Sequence, residues 1–184
     1  MRFTLVACLP FALAACHQQS TADSAAKTGE VSLNNASVAE VAKQANAAGP
    51  AHFSPGEWQT EIEIAEIDMP GVPPQVRDQM AAKMKATKTS VKTCLTKEQA
   101  DKPQSEMFAG KNNDCTFDHY TMAGGRLDAK MTCKAAQGGS MTQTIAGTFT
   151  DTSYALTSEM NAAGPQPMHM KAKVNGTRIG ACKG

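Results

Sequence analysis

Met168, His169 and Met170 stand together late in a 184-residue chain that carries eleven methionines, and thioethers beside an imidazole suit Cu(I). On a strand, however, Met168 and Met170 share a face with Ala172 and Val174, while His169 points the other way with Lys171 and Lys173. Methionine packs irregular interiors readily, so core filling is preferred over copper for this pair. Asp118 and His119 have the chemistry of an acid/base pair. Adjacent strand residues point to opposite faces and could not serve one atom. The chain holds no Gly-x-Ser-x-Gly turn, no His-Glu-x-x-His helix and no phosphate-cradling glycine loop. No catalytic, cofactor or metal-binding residue is assigned, and an enzyme is not expected. Lys85, Lys88 and Lys92 could gather an anion, but a solvated strand face explains them.

The cysteines carry a clearer message. Arg2 precedes an apolar run over residues 3–16, well short of the roughly 20 apolar residues that a spanning helix needs. The run reads as a secretory signal. Leu13-Ala14-Ala15-Cys16 resembles the bacterial lipobox, which implies cleavage before Cys16, a diacylglyceryl group on its sulfur and usually a third acyl chain on the new N-terminus. Each buried methylene contributes about 0.8 kcal/mol, and two or more chains make the anchor stable. A second match, Leu5-Val6-Ala7-Cys8, leaves almost no apolar run before the cut and is set aside. By analogy with lipoprotein sorting, His17 in place of Asp after the modified cysteine points to the outer membrane, on the periplasmic side of the envelope.

Loss of residues 1–15 takes Arg2 away and brings the eighteen cations level with the seventeen acids. No basic stripe with interleaved aromatics is present, so nucleic acid is not an expected partner. With Cys8 in the signal and Cys16 lipidated, Cys94, Cys115, Cys133 and Cys182 remain, and four cysteines in an exported chain read as disulfides. Gaps of 20, 17 and 48 residues do not suit zinc. Three pairings are open, although a hairpin over residues 115–133 would bring Cys115 near Cys133. Each bridge would contribute roughly 3 kcal/mol.

These residues need positioning elements, and the chain divides into residues 1–15, 16–52 and 53–184. Residues 17–51 contain no Phe, Tyr or Trp and read as a partly disordered or helical tether. Within it, residues 36–48 can form a helix with Val38, Val41 and Ala45 on one stripe and Gly49-Pro50 as a stop. Beyond Phe53, Trp58, Thr60, Ile62 and Ile64 alternate with Glu57, Gln59, Glu61 and Glu63, the period of a half-wet strand. Residues 75–86 place Val76, Met80 and Met84 at helical spacing, and residues 87–95 return to alternation. Gly124-Gly125 joins one hairpin. Asp151-Thr152 joins a second, with Phe149 facing Tyr154 and Gly147 opposite Leu156. The last strand is expected to turn at Asn175-Gly176 toward Cys182. The expected fold is mainly β, an antiparallel meander forming a small sandwich or flattened barrel, with one short helix.

Residues 53–182 resemble the proteobacterial envelope family catalogued as domain of unknown function family 3617. The match rests on "SPGEW" at Ser54 to Trp58, "MPGVP" at Met69 to Pro73, "TCLTKEQ" at Thr93 to Gln99, "DC" at Asp114 to Cys115, Cys133, "GTFT" and "TRIGAC". The chain departs from the family where a second Met-Pro cluster is reduced to Pro73-Pro74. The resemblance implies an exported, often lipidated, Met-rich β domain, and it brings no activity or catalytic residues. Three roles follow as expectations. The first is a membrane-anchored scaffold that docks an envelope protein. The second is a binder of a small apolar ligand, in space left by small residues such as Ala129, Gly147 and Ala172. The third is Cu(I) handling through Met168 and Met170.

Overall fold

A computed structural model describes residues 21–49, 53–100, 114–134 and 139–183. Cys16, the signal segment and the start of the tether lie outside the described residues. The elements are α1 (Thr21–Thr28), β1 (Val31–Ser37), α2 (Val38–Ala48), β2 (Gly56–Asp68), α3 (Pro74–Ala86), β3 (Thr89–Leu95), α4 (Lys97–Ala100), β4 (Cys115–Ala123), β5 (Arg126–Lys134), β6 (Ser140–Phe149), β7 (Ser153–Ala163) and β8 (Met168–Gly180). The eight strands among the described residues form one antiparallel sheet in the order β1-β4-β5-β6-β7-β8-β2-β3.

Period-two alternation gives this sheet one apolar and one polar face. One transverse row runs Leu33, Tyr120, Ala129, Ile145, Ser158, Ala172 and Ile64, and its neighbour runs Asn34, His119, Lys130, Thr144, Glu159, Lys171 and Glu66. The expected meander from β4 to β8 is present, with both hairpins in the expected register: Cys115 opposite Cys133, Phe149 opposite Tyr154 and Gly147 opposite Leu156. Gly124 and Gly125, at φ 55° and 72°, make the first turn.

Closure differs from the sandwich or barrel expectation. The sheet is open, with β1 and β3 as its two edges. The reason lies in the segment read as a tether. Val31 and Ala36 of β1, Ala25 of α1 and Val41 of α2 join Phe117, Tyr120, Met131 and Ile145 in one buried cluster. Strand β1 thus extends the sheet beyond β4, and α2, with α1 packed against it, covers the apolar face at that end, where a second sheet would otherwise be required. The segment lacks the apolar surface to fold alone, but burial needs only a complementary surface, and β4 supplies it through pairing with β1. The helix expected at residues 36–48 is there. Ser37 caps it by accepting from the Glu40 N–H at 3.2 Å.

Two other elements differ from the pattern. Asn175 and Gly176 form no turn; they lie inside β8, with Gly176 opposite Tyr154 on one side and Thr60 on the other. A Cβ on Gly176 would stand 2.1 Å from the Tyr154 ring, so this glycine is the floor on which the ring rests. Helix α3 forms as expected, with Pro74 in its first turn and Lys83 and Lys85 in its last. Its apolar stripe is not buried, since Val76 is 50 % and Met80 44 % exposed. The half-buried side chains are Arg77, Ala81 and Met84, because among the described elements the helix packs mainly on β2 rather than in a groove.

Candidate functional site

Three of the stretches that carry the family resemblance, "SPGEW", "TCLTKEQ" and "TRIGAC", meet at one end of the sheet, around β2, β3 and the tail of β8. Trp58 donates its indole N–H to the Ser54 carbonyl at 3.0 Å, and Arg178 donates Nε–H to the Pro55 carbonyl at 2.8 Å. Between them Gly56 adopts φ 148°, and a Cβ there would meet the Gly180 carbonyl and the Arg178 guanidinium within 3 Å. Only glycine permits that approach. Trp58 stacks on Tyr154 with ring centroids 5.9 Å apart, Phe53 meets both rings edge-on, and the Tyr154 hydroxyl lies 2.7 Å from Thr60 Oγ1. Cys94 of β3 is bonded to Cys182, across the end of β2. "SPGEW", "TCLTKEQ" and "TRIGAC" therefore build a clasp that fixes strand β3 onto the sheet.

The second bridge joins Cys115 to Cys133 across the β4–β5 hairpin, one of the three open pairings and the one that the hairpin brings within reach. The two bridges occupy different environments. Cys115 and Cys133 are 5 % and 6 % exposed, whereas Cys94 and Cys182 are open to solvent.

Met168 and Met170 lie half-buried on the apolar face, with Met170 opposite Met160 and Ile67. His169 faces the other way and takes Asn161 Oδ1 as partner at 2.7 Å, with a Glu66 carboxylate 3.8 Å away. The strand therefore separates the imidazole from the thioethers, as alternation required. Among the described residues no group of three His, Cys, Asp or Glu side chains is placed to hold a metal ion.

Asp118 and His119 depart from alternation. A bulge between Phe117 and His119 turns both side chains to the polar face, where Asp118 contacts Lys130 at 3.2 Å and Thr132 at 3.3 Å, and His119 contacts Asp128 at 2.6 Å. They share a face after all, yet each is engaged by a different partner on β5. On the apolar side, Tyr120 is 2 % exposed, and burial pushes its phenol up to about 12. Its hydroxyl donates to the Met122 sulfur at 3.7 Å.

Among the described residues, Gly147 and Ala129 do not open a ligand cavity. At Gly147 the Ala155 carbonyl and Leu156 backbone fill the space a side chain would take. The space beside Tyr120, Ala129 and Ile145 measures about 10 Å³, enough for about one water. A larger hollow of about 300 Å³ lies at the turn end, lined by Gly49, Gly124, Gly125, Phe149 and Asp151, and it opens to solvent.

Strand β3 forms where alternation over residues 87–95 was expected, whereas β1 lies in the segment read as a tether and was missed, as was the place of β3 at a bare edge. Residues 89–94 are exposed on both faces, and among the described residues only β2 pairs with it. Lys88 and Lys92 are solvated, as expected, but on an edge. "TSVKTCL" carries a lysine in the middle of a β-branched run, a device common on edges but not confined to them.

The architecture defines the chain as a disulfide-bridged antiparallel β domain with a clasped edge strand. The chain belongs to the family described as Protein of unknown function (DUF3617), whose model matches residues 53–182. No curated protein and no solved structure matches it.

Proposed function

We propose that this protein is a non-catalytic docking domain of the cell envelope, held to the membrane by lipid on Cys16, with a protein partner bound at the β2–α3–β3 end. The observation that carries the reading is β3: an edge strand exposed on both faces, stapled by Cys94–Cys182, beside a helix on β2 that leaves Val76 and Met80 in solvent. Exposed edges are ordinarily shielded, and apolar side chains on an unpacked helix serve association when they serve anything. A partner is favoured over an apolar ligand because the apolar space beside Tyr120, Ala129 and Ile145, where small residues were expected to leave room, is that of a single water.

A photoreactive side chain introduced at Val76 or Val91 of the full-length protein, in its own host, tests the reading. Protein adducts are expected at both positions and not at Thr144, which lies at the middle of the polar face. Absence of adducts at both positions would refute docking here. The anchor is tested separately by Cys16→Ser, which is expected to move the protein from the membrane to the soluble fraction. Retention after a salt wash would overturn lipid as the anchor.

A further inference from the structure

The two edges of the sheet are finished differently. On β1, Val31 and Ala36 are each 2 % exposed and packed into the core with α1 and α2. On β3 no described element lies over either face, and Val91 is 45 % exposed. Such an edge presents a row of unpaired N–H and C=O groups that can template another strand. The Cys94–Cys182 bridge and the β2 ladder hold those seven residues extended beforehand, which lowers the ordering cost of binding.

Charge across the polar face says what kind of strand would fit. β8 presents Lys171 and Lys173, β2 presents Glu57, Glu61, Glu63, Glu66 and Asp68, and the β3 side presents Lys88 and Lys92. Register sets Glu63 beside Lys173 and Glu66 beside Lys171, and Lys88 Nζ lies 3.4 Å from Glu63. The sign therefore alternates from strand to strand: basic, acidic, basic. Lys92 pairs with no acid among the described residues, nor do Lys83 and Lys85 at the end of α3. The apolar side of β3 offers Thr89, Val91 and Thr93, a surface for β-branched neighbours.

We infer that β3 receives an extended acidic segment of a partner protein as a ninth strand, its carboxylates beside Lys92 and its β-branched residues beside Val91. The inference rests on the docking reading above and gives it a chemistry: main-chain bonds supply affinity, and the charge alternation supplies specificity. A second copy of the chain fits less well, because pairing β3 with itself brings like lysine-bearing strands together. A lipid surface also fits less well, since α3 adds only Val76 and Met80 to the exposed apolar surface, has no aromatic residue and carries Asp78.

The test uses the mature chain from residue 16 with Cys16→Ser, isotope-labelled and with both disulfides formed. It is titrated with a capped peptide alternating Glu with Thr and Val, with its Lys counterpart, and with the Glu peptide N-methylated throughout. The Glu peptide is expected to shift the amides of residues 89–95. The Lys and N-methylated peptides should bind at least about tenfold more weakly, and Lys92→Glu should weaken the Glu peptide about tenfold while favouring the Lys peptide. Anionic vesicles of phosphatidylglycerol should leave those amides unmoved. Equal binding of both peptides, no binding, or shifts confined to other strands would overturn the inference, as would a vesicle response at β3. If no peptide binds but Val91 still crosslinks to protein in the host, the acidic-strand inference falls and docking stands. If crosslinking at Val76 and Val91 fails as well, both fall.

Discussion

Gly176→Ala isolates the decisive packing event at the clasp. The added methyl would sit 2.1 Å from the Tyr154 ring, far inside van der Waals contact, and the ring is the part able to move. Moving it disrupts its stack on Trp58, its edge contact with Phe53 and the hydroxyl bond to Thr60. Aromatic pairs contribute about 0.5–1.5 kcal/mol each and a net hydrogen bond about 1 kcal/mol, so the substitution should destabilise by about 2–4 kcal/mol. Tyr154→Ala should cost about 3–5 kcal/mol by itself. With the ring gone, the methyl meets open space, and the double variant should be scarcely less stable than Tyr154→Ala alone. The coupling energy should then be about 2 kcal/mol or more. Urea unfolding followed by Trp58 fluorescence, with an unchanged m value, reports all four corners of the cycle. Additive losses, or a Gly176→Ala cost below about 0.5 kcal/mol, would refute the argument that the glycine exists to seat the ring.

Two further outcomes follow from burial. Because the Tyr120 phenol titrates at about 12 rather than 10, the unfolded chain loses this proton first as pH rises. Stability from this group is therefore complete below pH 10 and declines by about 3 kcal/mol between 10 and about 12. Tyr120→Phe should abolish that slope in urea midpoints measured against pH, and a slope that survives would assign it to other groups. Graded reduction followed by thiol alkylation and intact mass should open the exposed Cys94–Cys182 bridge before the buried Cys115–Cys133 bridge, whose removal by paired alanines should cost about 3 kcal/mol. Simultaneous loss of both bridges would contradict the difference in access.

Alternation and turn residues determined the strands beyond Phe53 and which faces their residues share, Met168 and Met170 against His169, with Cys115 opposite Cys133 and Phe149 opposite Tyr154, but not β1. The faces follow because side-chain direction in a strand repeats every two residues, whatever lies nearby. The same rule failed at Asp118 and His119, where the bulge breaks the repeat, and at Asn175-Gly176, where turn chemistry yields to a neighbouring ring. Tertiary structure decided the rest. Whether Val41 is buried and Val76 exposed depends on what comes to lie against each helix, and both helices carry apolar residues at similar spacing. The Cys94–Cys182 bridge joins residues 88 apart, and the position of β3 at an edge depends on β2 pairing with β8 on its other side; no local pattern encodes either. Period and composition are properties of a segment, whereas burial, strand order and the bareness of an edge belong to the surfaces that meet it.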